Sequence, residues 1–185
     1  MKETEKAFEA YLVAGARGGD RGAMDRLIRL RGPRLMAHAA RLLGDAEAAR
    51  DVAQDAWVEI FRGLGGLRDA RAFLPWALRI VSRRVARLIA RRQRDRKLAV
   101  QFGQQSVRAT PEAGPGASDA ARVRRAIAGL PPGQAAVVAL FYLEEMRVAE
   151  VAVAMDLPIG TIKTRLMHAR AWLRDELERK HDGKT

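Results

Sequence analysis

The chain has 185 residues, 48% of them hydrophobic, and carries a formal net charge of +12 with an isoelectric point near 11.2. That length fits one domain or two small ones, and the cationic surplus favours a polyanionic partner, either nucleic acid or an anionic membrane surface. The absence of cysteine excludes disulfides, thiol catalysis and cysteine-ligated zinc. No stretch approaches the ~20 apolar residues of a membrane span, and Met1-Lys-Glu-Thr-Glu-Lys6 does not open an apolar signal core. A cytoplasmic protein without membrane insertion is therefore expected.

In chain order the pattern is helical throughout, without sustained period-two alternation. Gly15-Ala-Arg-Gly-Gly-Asp-Arg-Gly22 is glycine-rich. With no strand before it and no Gly-Lys-Ser/Thr after it, a phosphate loop is not expected. Asp20 reads as the N-cap of a helix with Met24, Leu27 and Ile28 inward. A second helix is predicted from about Pro33, carrying Leu35, Met36, Ala39, Leu42 and Leu43, and Gly44 stops it. Asp45 caps a third helix with Val52, Ala56 and Ile60 inward, ending in Gly63-Leu-Gly-Gly66. A fourth runs from near Ala70 past Arg92. Gln101 to Ala117 is rich in Gly, Gln, Ser, Thr and Pro and reads as a flexible linker. Ser118 then caps a helix with Val123, Ile127 and Leu130 inward, and Pro132 opens another through Tyr142. The expected layout is two tethered helical domains, residues 1–97 and 118–185, with residues 98–117 between them.

The last stretch reads as a helix-turn-helix. Val148, Val151, Ala152 and Met155 share one face of a first helix. Asp156 stands at the turn, where it tolerates a left-handed conformation, and Pro158 suits the first turn of the next helix. On that second helix Ile162, Leu166, Ala169 and Leu173 face one way, while Lys163, Thr164, Met167, His168 and Arg174 face the other. A helix with a packed back and a cationic, hydrogen-bonding front is suited to a DNA major groove.

Two further faces carry charge. Trp76, Arg79, Arg83 and Arg87 share a stripe on the fourth helix, a pattern suited to phosphate contact and to stacking on an unpaired base. The alternative is a core tryptophan beside solvated arginines. On the third helix Glu47, Asp51, Asp55 and Glu59 line one side with Gln54 beside them. Phosphate repels that face, so it either docks a basic protein partner or is simply solvated. His38, His168 and His181 lack ligand spacing, and no nucleophile motif or catalytic carboxylate pair is apparent. Neither enzymatic activity, a cofactor nor a metal is expected.

Gly19-Asp20 with Met24 and Leu27, Leu42-Leu-Gly-Asp45, Asp51-Val-Ala-Gln-Asp55 and Phe73-Leu-Pro-Trp-Ala-Leu-Arg-Ile80 resemble region two of the bacterial sigma-70 family. Leu130-Pro-Pro-Gly-Gln134, Val137-Val-Ala-Leu-Phe-Tyr142 and Gly160-Thr-Ile-Lys-Thr-Arg-Leu166 resemble region four. Both sets in this order, with nothing like region three between them, are similar to the small extracytoplasmic-function (ECF) group. The resemblance implies an initiation factor that docks on core RNA polymerase and is held in check by an anti-sigma factor. It implies that Asp51, Gln54 and Asp55 meet a coiled coil of the largest polymerase subunit. The Gly66–Phe73 loop and the helix bearing Trp76, Arg79, Arg83 and Arg87 would read and melt the −10 promoter element. The helix bearing Thr161, Lys163, Thr164, Arg165, Met167, His168 and Arg170 would read the −35 element as duplex. Two positions depart from the family pattern: Arg83, where Asn is common, and His168, where Arg is common. Neutral His does not match the bidentate reading of guanine by Arg, which shifts the expected burden to Lys163 and Arg165. A conventional repressor or activator, or a decoy that binds only anti-sigma protein, are the competing readings. No heptad seam for a dimer supports the former, and the retained cationic faces argue against the latter.

Overall fold

The computed structural model describes residues 3–101 and 129–182, together with residues 123, 126 and 127. Among these residues all regular structure is helical, as expected. The order is α1 (Glu3–Arg17), α2 (Arg21–Leu43), α3 (Ala46–Gly63), α4 (Phe73–Gln101), α5 (Pro132–Val138), α6 (Val148–Met155) and α7 (Ile159–Asp182). Two short 3-10 turns, Leu64–Gly66 and Ala70–Ala72, lead into α4, and a π-helical turn, Ala139–Leu143, prolongs α5.

Local chemistry sets most boundaries. The Asp20 carboxylate accepts from the N–H groups of Gly22 and Ala23 at 2.8 and 3.2 Å, satisfying donors that the first turn of α2 leaves free. Gly44 ends α2 with φ 67°, a left-handed conformation that costs glycine little. Asp45 then accepts from Ala48 at 3.1 Å to start α3.

Several expectations are corrected. Pro33 does not start a helix; it lies inside the single helix α2. Proline forfeits one hydrogen bond there, but Arg31 and Leu35, at 1% and 0% exposure, anchor the segment on either side. Ile28 and Val123 are exposed, not inward. The helix α1, with Leu12, Val13 and Ala16 buried, was not foreseen. Helix α4 continues to Gln101, while the rest of the expected linker, residues 102–117, and the Ser118 cap lie outside the described residues.

The two helical halves also touch each other. Helix α6 lies across α4, and α5 packs on α2. One apolar cluster runs through Leu12, Leu35, Ile60, Phe73 and Leu78 of the N-terminal half into Val137, Leu140, Met146, Val151 and Ile162 of the C-terminal half. A smaller cluster of Leu130, Ala135, Val138 and Ala169, flanked by Trp172 and Leu173, joins α5 to α7.

Candidate nucleic-acid interface

The backbone of the predicted helix-turn-helix forms as its residues dictate. At the start of α6 the Glu150 carboxylate accepts from the Arg147 N–H at 2.9 Å. At its end Asp156 adopts φ 56°, and Leu157 N–H reaches Ala152 O at 3.0 Å, closing the turn. Along α7, Ile162, Leu166 and Ala169 are buried. Lys163, Thr164, Met167, His168 and Arg170 all lie on the exposed side, with Met167 at 59% exposure. The Thr164 hydroxyl donates to Gly160 O at 3.1 Å, one turn back.

Two predicted residues on this helix stand off that front, and a third, Arg170, is steered within it. Thr161 is half-buried. Arg165, also half-buried, turns aside against Gly133 at the start of α5, where a Cβ would sit only 2.8 Å from its Nη1. Arg170 donates through Nε to the Tyr142 hydroxyl at 2.8 Å, and its guanidinium lies 5.8 and 5.7 Å from the Phe141 and Tyr142 ring centroids. These cation–π contacts fix its direction. Sequence reading passed over Tyr142, because only the tertiary fold brings a residue of the π-helical turn beside α7.

The stripe on α4 is brought together, but not as a free surface. Trp76 is half-buried, 6.1 Å from the Phe73 ring, and a Cβ at Gly63 would lie 3.2 Å from its Cζ2. Its indole thus fills space over the end of α3 while keeping one edge in solvent. Arg79 Nη2 lies 2.7 Å from Asp156 Oδ1, and Arg83 reaches Asp156 Oδ2 with Nη2 at 2.8 Å and Nε at 2.9 Å. The hydrogen bond from Arg83, joined by the charges of Arg79 and Arg83, holds the Asp156 carboxyl below its ordinary range. Arg87 is exposed.

On α3 the residues Asp51, Gln54 and Asp55 are exposed on one face. Arg84 crosses from α4 to this face, meeting Asp55 at 2.8 Å and Glu59 at 2.9 Å, so part of the acidic charge is balanced internally. Val58, 47% exposed beside them, gives the face an apolar contact point that the search for charge missed. Among the described residues no group of acids or histidines could hold a metal ion, and no helix is long and apolar enough to cross a membrane.

Comparison with known proteins decides the family. The models of sigma-70 region 2 and sigma-70 region 4 match residues 27–95 and 120–173. The ECF RNA polymerase sigma factor SigM of Mycobacterium tuberculosis is 32% identical over 166 residues, covering 89% of this chain and 82% of that protein. The chain belongs to the ECF group of the sigma-70 family. It is thus of the class of transcription initiation factors and not an enzyme. The RNA polymerase sigma-H factor of Pseudomonas aeruginosa is 27% identical over 173 residues, covering 88% of this sigma factor and 90% of its relative. Among solved structures, CnrH in complex with the cytosolic domain of CnrY matches with a TM-score of 0.66 and 25% identity, over 93% of this chain and 98% of that one.

Proposed function

We propose that this sigma factor binds core RNA polymerase in the cytoplasm and directs promoter-specific initiation by recognising −10 and −35 elements and aiding strand opening. The observation that carries the reading is the outward front of α7. Lys163, Thr164, Met167, His168 and Arg170 project together from a helix whose other face is buried against α5 and α6. Such a front can enter a major groove without rearranging its own fold, and we assign it the −35 element together with Thr161 and Arg165. Residues 1–97 are assigned as the polymerase-docking and −10 domain, 98–117 as a linker, and 118–185 as the −35 domain. Asp51, Gln54 and Asp55 would grip the polymerase. Trp76, Arg79, Arg83 and Arg87 would meet the −10 strand.

Restraint by an anti-sigma factor is part of the proposal. Its support is the likeness to CnrH, which is solved with the cytosolic domain of CnrY bound. Run-off transcription with purified core polymerase on genomic fragments tests the whole. Discrete transcripts that depend on this protein are expected. Their absence, with tight operator binding by the protein alone, would establish a conventional regulator instead.

A further inference from the structure

A single cation organises part of the acidic face of α3. Asp51, Asp55 and Glu59 follow one another at intervals of four residues along that helix, a spacing at which like charges repel. Arg84 of α4 reaches two of them. Its Nη1 lies 2.8 Å from Asp55 Oδ2 and its Nε 2.9 Å from Glu59 Oε2. One planar guanidinium thus forks across two carboxylates a helical turn apart.

The fork is anchored from below. Val81 and Val85, on either side of Arg84 in the chain, are buried, and α3 packs directly on α4. The side chain of Arg84 is 26% exposed, that of Glu59 37% and that of Asp55 69%. Exposure therefore rises outward from the cation to Asp55, the member of the group assigned to the polymerase. Among the described residues Asp55 Oδ1 takes no hydrogen bond, so Arg84 occupies one oxygen of this carboxylate and leaves the other for a partner.

Two consequences for docking are opposed. A positive charge within an acidic face weakens its attraction for a cationic partner. The same charge orders Asp55 in advance, so that the partner need not order it on binding. Screening is not what sets Arg84 apart. Arg87 and Arg92 line the same cleft between α3 and α4 as Asp51 and Asp55, so positive charge remains beside Asp55 without Arg84. What Arg84 alone supplies is the double contact that gives the carboxylate one direction.

We infer that Arg84 is a positioning residue for polymerase docking: braced on Glu59, it sets Asp55 in the direction from which a cationic side chain of the partner is met. The inference rests on assigning Asp55 to the polymerase. In it Glu59 acts through Arg84 and not on the partner.

Binding of the full chain to immobilised core polymerase, followed by interferometry, tests this. Arg84→Met keeps the apolar stem and removes the fork. It will raise Kd about fivefold, the scale of one side chain that must be ordered on binding. Arg84→Lys keeps the charge but lacks the planar fork, and will recover little of that loss. Glu59→Gln will raise Kd about twofold, the scale of an exposed ion pair, and will do nothing further in an Arg84→Met background. Arg84→Met will likewise add nothing to Asp55→Asn. In the free chain, the Arg84 Nε–H resonance will move in Glu59→Gln with native circular dichroism. An unmoved resonance would overturn the inference. So would an unchanged or tighter complex with Arg84→Met, full recovery by Arg84→Lys, or an equal loss with and without the Asp55 carboxylate. Any of these, with the unmodified chain still bound to core polymerase, sinks the positioning role alone. Failure of the unmodified chain to bind core polymerase would instead bring down the initiation-factor reading, and this inference with it.

Discussion

Helices α4 and α7 are both long and cationic, yet they use their charge in opposite ways. On α4, Arg79 and Arg83 are tied to Asp156, Arg84 to Asp55 and Glu59, and Arg92 to Asp45. On α7, Lys163 and His168 face solvent. The interiors differ as well. The buried polar residues among those described, Glu9, Arg31 and His38, all belong to α1 and α2. The C-terminal half packs Val, Ala, Leu and Ile around α7. Charge in the N-terminal half is thus largely part of its architecture, whereas on α7 it remains available to a ligand. Counting arginines along a sequence does not distinguish the two.

The sharpest way to break this contrast is Arg31→Met. Arg31 donates through Nε to Glu9 and through Nη1 to Glu5 at 2.7 Å, pinning α1 to α2. Burial pushes the Glu9 carboxyl up despite the arginine beside it. Removing the cation strands that carboxyl in the core, and a loss of about 3–5 kcal/mol is expected in urea unfolding. Adding Glu9→Leu should recover most of it. A single variant with native stability would show that the pair is incidental.

Titration probes the same interior. His38 is fully buried, with Nε2 2.9 Å from the Ser82 hydroxyl, and burial, aided by the charge of Arg41, lowers its pKa to about 3. Its unfolded-state value is near 6.5. The folded protein therefore holds this ring neutral over a range in which the unfolded chain takes up a proton. The stability it contributes is complete above pH 6.5 and is lost as pH falls toward 3, at a slope of up to about 1.4 kcal/mol per pH unit. His38→Gln, which can still pair with Ser82, should flatten the acid limb of a pH–stability curve by that slope. An unchanged limb would mean that the ring is protonated in the fold.

What could be read from the sequence was what short-range chemistry determines. Asp20, Gly44, Asp45 and Asp156 cap or turn the chain through contacts within a few residues, and each does so where it was expected. The apolar backs of α3 and α7 follow from periodicity. Pro33 misled because its local cost is outweighed by contacts on α1, more than twenty positions away, which spacing does not encode. The contact between Asp156 and Arg83 was hidden for the same reason, its partners being 73 residues apart. The exposed front of α7 was legible because a solvent-facing stripe needs no knowledge of partners. The turn of Arg165 toward α5 was not legible, because it depends on the room that Gly133 leaves on a neighbouring helix.

On the ligand-facing side of the contrast, Lys163→Ala should reduce the salt dependence of duplex binding, lowering the slope of log K against log salt by about one. Arg84→Ala, which removes a cation already spent on Asp55 and Glu59, should leave that slope unchanged. Titrations at several salt concentrations measure both. Equal slopes in the two variants would erase the distinction between committed and available charge.

The smallest effect tests whether even an exposed arginine on α7 is free. Arg170 is steered by the Tyr142 hydroxyl and by two aromatic faces. Tyr142→Phe keeps the ring and deletes only the hydrogen bond, so the cation–π attraction survives while the guanidinium gains freedom to swing. Folding stability should change by about 0.5 kcal/mol at most, the low end for an exposed hydrogen bond. Promoter affinity should fall about twofold, because Arg170 must then be ordered on binding. The fall should vanish in an Arg170→Ala background, where there is no guanidinium left to position. If Tyr142→Phe weakens promoter binding equally with and without Arg170, the hydroxyl acts on DNA directly and the two residues are independent.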